Sequence, residues 1–522
     1  MLGSKALARD KMPLKRKFMM FKRHTRNLSL PSIMGCLLIA AGLFLRTRQY
    51  IVARSLWLDE AMLALNIVNR SFVELTQPLD YNQGAPIGFL LLQKLIIQNL
   101  GNKDYILRLF PFIAGIAAIF IMHNVAKKYI GSRGSLIATG LFVISVPLIY
   151  YASEAKQYSS DVFASLLLLF LAHRCISADS TFKHFFVLGL VGALSIYMSH
   201  PALLVIMGIG FSLTVDMFFR KDRQRLLWVG IILLFWLINF ITLYFISLRS
   251  LASNEALINY WSSSFMPIPP WSNIEWFIKT FSTMLINPVG LGSNMAIIAI
   301  LTVLGCSSLF IENWPSALLL TMPFFTTLLA SGFEKYPFQD RLLLFIVPMV
   351  LLLLAEGLER LYLLVRKYNT SIAIGVCVII GALIMYKPME TAFQNLKTPN
   401  MREHIKPVMS YLEHNRLNTD SIYVYYGAQY AFYYYAPMYD LEESDYVISI
   451  SSRQKPKKYI QDIDKLLGKE RVWVLFSHNC SWCLVDERAF ILDRFDEIGT
   501  KTDEIESINA SAHLYDLSLK NP

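Results

Sequence analysis

Charge is scarce in this sequence. Asp, Glu, Lys and Arg make up 17% of its 522 residues, against about 25% in an ordinary soluble domain. With 55% apolar residues besides, the composition excludes a disordered chain, a collagen and a coiled coil. Cysteine is scarce too. Of the six, Cys36, Cys175, Cys306 and Cys377 lie in or beside apolar segments, where cysteine serves as a small core residue. Cys480-Ser-Trp-Cys483 has no second CxxC or His pair near it, so it reads as a local disulfide or two free thiols rather than zinc ligands. No glycine-rich phosphate loop opens a helix, no convincing internal repeat occurs, and no small-residue cleavage site follows the first apolar run.

What the chain does have is apolar runs, over about three quarters of its length, with a mean hydropathy of +0.43. That is too much for a single-span anchored enzyme and marks a polytopic membrane protein. The formal net charge is +11, and residues 388–522 hold 15 Lys/Arg against 20 Asp/Glu, so the excess of basic residues lies before them. Basic residues there sit in short loops beside apolar runs, where they set membrane orientation rather than bind nucleic acid.

Residues 1–26 carry nine Lys/Arg and one Asp, and an uncharged run from Asn27 to Leu45 follows. As a helix that run crosses roughly 30 Å of hydrocarbon, and its basic flank places the N-terminus in the cytoplasm. It reads as a retained first span. Further apolar runs lie near 86–100, 105–126, 134–153, 157–173, 184–200, 201–219, 226–248, 289–311, 315–333, 341–356 and 369–386. Basic clusters stand at Lys127/Lys128/Arg133, Arg174/Lys183, Arg220/Lys221/Arg223/Arg225 and Arg360/Arg366/Lys367. All four fall inside only if 86–100 does not cross. That run carries Gln93, Lys94 and Gln98, and is expected to lie on the outer surface as an amphipathic helix. A true span with inverted loops is the alternative. The stretch 184–215 has basic flanks and must cross twice, turning at Ser199-His200-Pro201. About eleven spans result, with outer segments at 46–104, 150–161 and 249–288.

From about residue 388 the composition becomes that of a soluble domain. Helix-like patterns at 402–416, 457–467 and 486–498 alternate with strand-like runs at Ile422–Tyr426, Tyr446–Ile450, Val472–Phe476 and His513–Leu517. Alternation of this kind predicts an α/β domain with a mostly parallel sheet. The expected organisation is a basic cytoplasmic segment 1–26, a transmembrane domain 27–387 and an extracytoplasmic α/β domain 388–522.

Three polar clusters fall on the outer face of this topology. Asp59-Glu60 follows Ser55-Leu-Trp-Leu; Tyr150-Tyr-Ala-Ser-Glu154-Ala-Lys156-Gln-Tyr158-Ser-Ser-Asp161 joins two spans; Glu334-Lys-Tyr336-Pro-Phe-Gln-Asp340-Arg341 precedes another. Each has a plain structural reading. Acids are favoured in a helix's first turn, loops are solvated, and charges anchor helix ends. Each also has a chemical one. Carboxylates serve as general bases or metal ligands, and Lys156 and Arg341 suit an anion such as an anionic lipid headgroup of the outer leaflet.

On these residues the chain resembles the C-type glycosyltransferases that use polyprenyl-phosphate sugars. It is most similar to the family-39 group, with the protein O-mannosyltransferases, lipid A aminoarabinose transferases and RgtABCD-type bacterial enzymes. The likeness rests on Leu-Trp-Leu-Asp59-Glu60-Ala, Ala85-Pro86-Ile-Gly-Phe, Leu107-Arg108-Leu-Phe110-Pro111, Ser153-Glu154-Ala-Lys156-Gln-Tyr158 and Lys335-Tyr336-Pro337 with Arg341. It implies a membrane fold with juxtamembrane helices in the first outer loop. It also implies an inverting transfer of sugar from the lipid donor to a hydroxyl of a lipid, glycan or protein in the cell envelope.

Asp59 would then be the general base, with Glu60 beside it as a catalytic acid that orients the acceptor or holds a divalent metal. Lys156 and Arg341, with Tyr158 and Tyr336, would hold the donor phosphate, and Glu154 and Asp161 would serve the acceptor or a metal. A divalent ion, Mg or Mn, is used by some members of the wider superfamily and not by others. Where some relatives carry Lys or His before the Pro-Ile-Gly segment, this chain reads Asn82-Gln83-Gly84-Ala85, which shifts the phosphate-binding role towards Lys156. The implied location is a bacterial inner membrane. A transporter or flippase of a lipid-linked glycan would instead show repeats and ionisable groups near the bilayer midplane. A polysaccharide polymerase or ligase usually lacks a C-terminal domain of this size.

Overall fold

The computed structural model describes residues 30–453, 455, 457–479 and 486–518. The basic segment 1–26 and the Cys480–Cys483 motif lie outside the described residues.

Eight of the described helices are long and apolar enough to cross a membrane. Two of them break. Leu109–Ile144 turns at Gly131, whose φ of 75° favours glycine. Met295–Gly332 breaks at Asn313, whose Oδ1 accepts from Ser316 N at 3.4 Å while Pro315 opens the next turn. Split at these points, and with the shorter Phe182–Met198, they make eleven apolar segments. The first described helix, Leu30–Ile51, runs beyond Leu45 and keeps Arg46 buried over the Phe142 ring.

Two candidate spans form the centre. The apolar window of Asp340–Arg366 is 89% buried and that of Tyr158–Ile176 is 67% buried, whereas Leu30–Ile51 and Thr370–Lys397 are 17% buried. Side chains such as Leu194, Phe211, Leu234 and Ile300 are exposed on the outside, as a lipid-facing belt requires.

Close packing replaces the hydrophobic effect between helices in lipid. A Cβ at Gly357 would collide with the Leu301 carbonyl, and one at Gly305 with that of Leu353. Gly357→Leu is therefore expected to cost about 1–3 kcal/mol or more and to lower the thermal unfolding midpoint in detergent. Gly375, with no atom within 4 Å of such a Cβ, is the control position and should tolerate leucine.

The loop after the first described helix forms a layer of its own. Helix Leu58–Asn69 is followed by Ile87–Leu100, which Gly101 ends at φ 93°. The polar residues of Ile87–Leu100 are pinned within this layer: Gln93 Nε2 donates to the Leu107 carbonyl at 2.7 Å and Lys94 Nζ to that of Val68 at 2.9 Å. Its Phe89, Leu90 and Ile97 share a core with Leu63 and Ala64 and with Val408 and Leu412 of the C-terminal domain.

The last long helix, Thr370–Lys397, carries the chain into that domain. Its strands are β1 (Ser421–Val424), β2 (Tyr446–Ile448), β3 (Arg471–Ser477), β4 (Thr500–Ser507) and β5 (Ala510–Asp516). The order is β2-β1-β3-β5-β4. β1 runs parallel to β2 and β3, but β5 runs antiparallel to β3 and β4. The expectation of a mostly parallel sheet is corrected: the sheet is mixed. Strand β4 reads Thr-Lys-Thr-Asp-Glu-Ile-Glu-Ser, an exposed edge without an apolar run, and Asn509 at φ 48° turns it back into β5. Ile422, Trp473 and Leu514 on one face of the sheet complete the core of this loop layer. The domain is thereby seated on the loop that carries Asp59.

Candidate active site

The site begins at the start of helix Leu58–Asn69, where Asp59 and Glu60 occupy the first turn. Free N–H groups there favour carboxylates. The two side chains have different surroundings.

Glu60 is closed. Arg108 grips it with two hydrogen bonds, Nε to Oε1 at 2.9 Å and Nη2 to Oε2 at 2.6 Å, and Ala155 N donates to Oε1 at 2.6 Å. Neither side chain is more than 1% exposed. Arg108 also donates to the carbonyls of Arg54 and Ser55. Burial pushes the Glu60 carboxyl up, but Arg108 and Arg54 outweigh it and hold it below the ordinary value. Glu60 thus ties three segments together and has no oxygen left for a substrate or metal.

Asp59 is open at one side, with 16% of its side chain exposed. Lys156 Nζ donates to its Oδ1 at 3.0 Å, and Arg341 Nη2 stands 2.8 Å from Oδ2. Lys156 also donates to Gln83 Oε1 at 2.6 Å. Gln83 thus occupies the place where a cation was expected to be missing, and it orients Lys156. Burial acts to raise the Asp59 carboxyl, yet Lys156 and Arg341 prevail and hold it at about 2. Burial pulls the Lys156 ammonium down despite Asp59.

The Arg341 guanidinium lies over the rings of Trp57 and Tyr158, 5.3 and 5.6 Å from their centroids. Asp161 is placed differently. It is buried, lies near Ser199 at the turn between two helices, and is on the side of Tyr336. The Tyr336 hydroxyl donates to the Leu342 carbonyl at 2.8 Å within its own turn. The structure therefore brings together Asp59, Lys156, Arg341 and Tyr158. It turns Glu60 inward and sets Asp161 and Tyr336 to one side.

Glu154 is fully buried, and neither of its oxygens has a hydrogen-bond partner among the described residues. Burial and the Glu60 charge raise its carboxyl above the ordinary value, against Arg402, Arg341 and Arg54. A carboxyl raised on folding destabilises the native state once pH exceeds its unfolded value near 4.3. Glu154→Gln should accordingly raise the thermal unfolding midpoint at pH 8 and leave it unchanged at pH 4.

Among the described residues no group of three or more His, Cys, Asp or Glu could hold a metal. The carboxylates fit one poorly, since Glu60 is saturated and Asp59 is claimed by two cations. Arg54, Lys156, Arg341 and Arg402 stand around Asp59 and Glu154, Arg54 lying over the Tyr150 ring at 4.3 Å and Arg402 over Trp57 at 4.2 Å. This excess of positive charge suits an anion. Arg54 and Arg402 carried no local motif in the sequence, because their neighbours in space are about 100 and 250–350 residues away. A cleft of about 750 Å³ opens between residues 262–284 and 332–343, lined by Trp276, Met284, Phe338 and Leu343 with Lys279 and Asp340.

No protein-family profile and no curated protein matches the chain in sequence. Solved structures do match. ArnT from Cupriavidus metallidurans in the apo state superposes with a TM-score of 0.52 at 12% identity, over 93% of this chain and 98% of that one. The chain has the fold of the C-type glycosyltransferases. The Archaeoglobus fulgidus oligosaccharyltransferase, in a complex with Zn and sulfate, gives a TM-score of 0.52 at 10% identity, covering 84% of this chain and 67% of that one. The archaeal oligosaccharyltransferase AglB from the same organism, in complex with an inhibitory peptide and a dolichol-phosphate, gives 0.51 at 9% identity, covering 93% and 74%.

Proposed function

We propose that the chain is an inverting membrane glycosyltransferase that moves a sugar from a polyprenyl-phosphate donor to an acceptor hydroxyl. The observation that carries this reading is the partly exposed Asp59 carboxylate held between Lys156 and Arg341. A base and two anion-binding cations at one point are what such a transfer needs. The dolichol-phosphate in the AglB complex supports a prenyl phosphate as the ligand of this fold.

In the transfer, Asp59 takes the proton of the acceptor hydroxyl as that oxygen attacks the anomeric carbon. The bond from that carbon to the phosphate oxygen breaks on the opposite face, and its electron pair leaves with the prenyl phosphate. Lys156 and Arg341 stabilise the departing anion, so no general acid is required. Glu60 and Arg108 position the helix bearing Asp59 and, through Ala155 N, the turn bearing Lys156. The positive-inside pattern supports a site on the outer face of a cell membrane, with the C-terminal domain outside. Gathering of the charges at one end of the bundle, rather than at its midplane, speaks against a transporter.

The test is transfer from a labelled polyprenyl-phosphate sugar by purified full-length protein, with the anomeric configuration of product and donor compared. Transfer or donor hydrolysis with inversion is expected. Binding of the donor with neither reaction would reject the enzyme, and movement across a vesicle membrane alone would assign a flippase.

A further inference from the structure

Every other Lys or Arg of the site described above is committed or sealed. Arg108 is paired with Glu60, Lys156 and Arg341 with Asp59, and Arg54 is 2% exposed and donates to Ser153 Oγ at 2.7 Å. Arg402 is neither. It is exposed while its neighbours Glu403 and Ile405 are buried, and among the described residues no carboxylate pairs with it. Its one side-chain hydrogen bond among these residues is long, Nη2 to the Tyr151 hydroxyl at 3.3 Å. Two aromatic faces nevertheless fix it, Trp57 at 4.2 Å and Tyr150 at 5.4 Å from ring centroid to guanidinium carbon. An arginine held by stacking, with most of its five N–H donors unspent, is ready to receive an anion.

Its position is fixed from the other side as well. Glu403 accepts from Leu58 N at 3.3 Å, at the start of the helix bearing Asp59, and its other oxygen lies 2.5 Å from His478 Nδ1 after β3. His404 Nδ1 is 2.9 Å from Ser55 Oγ, and Lys406 Nζ is 2.6 Å from Asp104 Oδ2. Three of these links, from Glu403, His404 and Lys406, bind the segment to the outer loop, and the fourth ties Glu403 to the C-terminal domain. They hold Arg402 against Trp57, the ring that also carries Arg341.

We propose that Arg402, brought in by the segment leading into the C-terminal domain, is a phosphate-binding residue of the donor site. Resting on the glycosyltransferase reading, it acts with Arg341 across Trp57. The two guanidinium carbons are at most 9.5 Å apart, close enough for both to reach one phosphate. A prenyl phosphate that displaces Asp59 from Arg341 then meets a second guanidinium with free donors. The C-terminal domain would thus be a structural part of the site rather than a detached cap.

The experiment compares wild type, Arg402→Gln and Arg402→Lys as full-length protein in detergent. It reads binding of polyprenyl phosphate and of uncharged polyprenol, and KM for donor and acceptor. Arg402→Gln should weaken polyprenyl phosphate binding and raise the donor KM by about tenfold or more, with kcat changed much less and polyprenol binding unchanged. Arg402→Lys should recover part of the loss, since it keeps the charge but not the planar fork. Unchanged phosphate affinity in Arg402→Gln overturns the proposal, and a rise in the acceptor KM alone moves Arg402 to the acceptor. A second measurement does not depend on folding of the variants. Polyprenyl phosphate, and not polyprenol, should protect Arg402 of the wild type from phenylglyoxal, read by mass spectrometry; equal labelling overturns it too. Failure of the wild type to transfer sugar while polyprenyl phosphate still protects Arg402 would reject the enzyme reading and leave the phosphate site.

Discussion

Asp59→Asn is expected to lower kcat for sugar transfer by about 10²–10⁴ while tightening the binding of polyprenyl phosphate. The two effects have one origin. Asparagine is nearly the same shape as aspartate, so Lys156 and Gln83 keep a polar partner and the helix start is little disturbed. What disappears is a base and a negative charge. Without that charge Lys156 and Arg341 are uncompensated, and an incoming phosphate no longer competes with a carboxylate for them. Single-turnover transfer and equilibrium binding of polyprenyl phosphate on the same preparation read both quantities. Undiminished kcat would remove Asp59 from its role and move the search to Glu154 and Asp161.

The ion pairs also set how the reaction responds to pH. A carboxyl held at about 2 stays ionised at every pH where the protein is handled, and is a feeble base. On the proposed function, donor binding would change this, because its phosphate would draw Lys156 and Arg341 away and leave burial to act on Asp59 unopposed. The acid limb of kcat, which reports the bound enzyme, should therefore lie at higher pH than that of kcat/KM, which reports the free one. For stability the sign is opposite to that of Glu154. The depressed Asp59 carboxyl contributes stability that is present above its unfolded value near 3.9 and is lost only as pH falls towards 2.

How much of this was legible from residues alone follows from the range of each interaction. The apolar helices were, because lipid demands long uncharged runs, and the polar pattern of Gln93 and Lys94 marked a helix pinned to the loop layer. Asp59, Lys156 and Arg341 stood out because charges beside spans are costly. The division of labour between Asp59 and Glu60 was not legible. Adjacent acids in one helical turn look alike until Arg108, 48 residues away, turns one of them inward. Strand β4 was missed because an exposed edge carries no apolar pattern. Arg402 was missed because only tertiary packing places it over Trp57.

Arg108→Met should be the most destabilising single change in the site. It leaves Glu60 fully buried with its negative charge and only backbone donors, a loss of about 3–5 kcal/mol for a broken buried pair. Replacing both partners removes the stranded charge, so Glu60→Leu with Arg108→Met should regain a large part of the thermal unfolding midpoint in detergent. Activity should not return with it. Ala155 N would lose its acceptor, one residue before Lys156, and the carbonyls of Arg54 and Ser55 would lose their donor. Lys156 and Asp59 would then no longer be held at their present separation, and misplacement of about 1 Å costs on the order of 10²-fold in rate. A double variant that is stable yet inactive is the expected pattern, and it separates the positioning role of the pair from its share in stability. Full transfer by the stable double variant would show that the Asp59–Lys156 geometry does not depend on Glu60. An Arg108→Met single variant as stable as wild type would show that Glu60 is not the anchor of the loop layer.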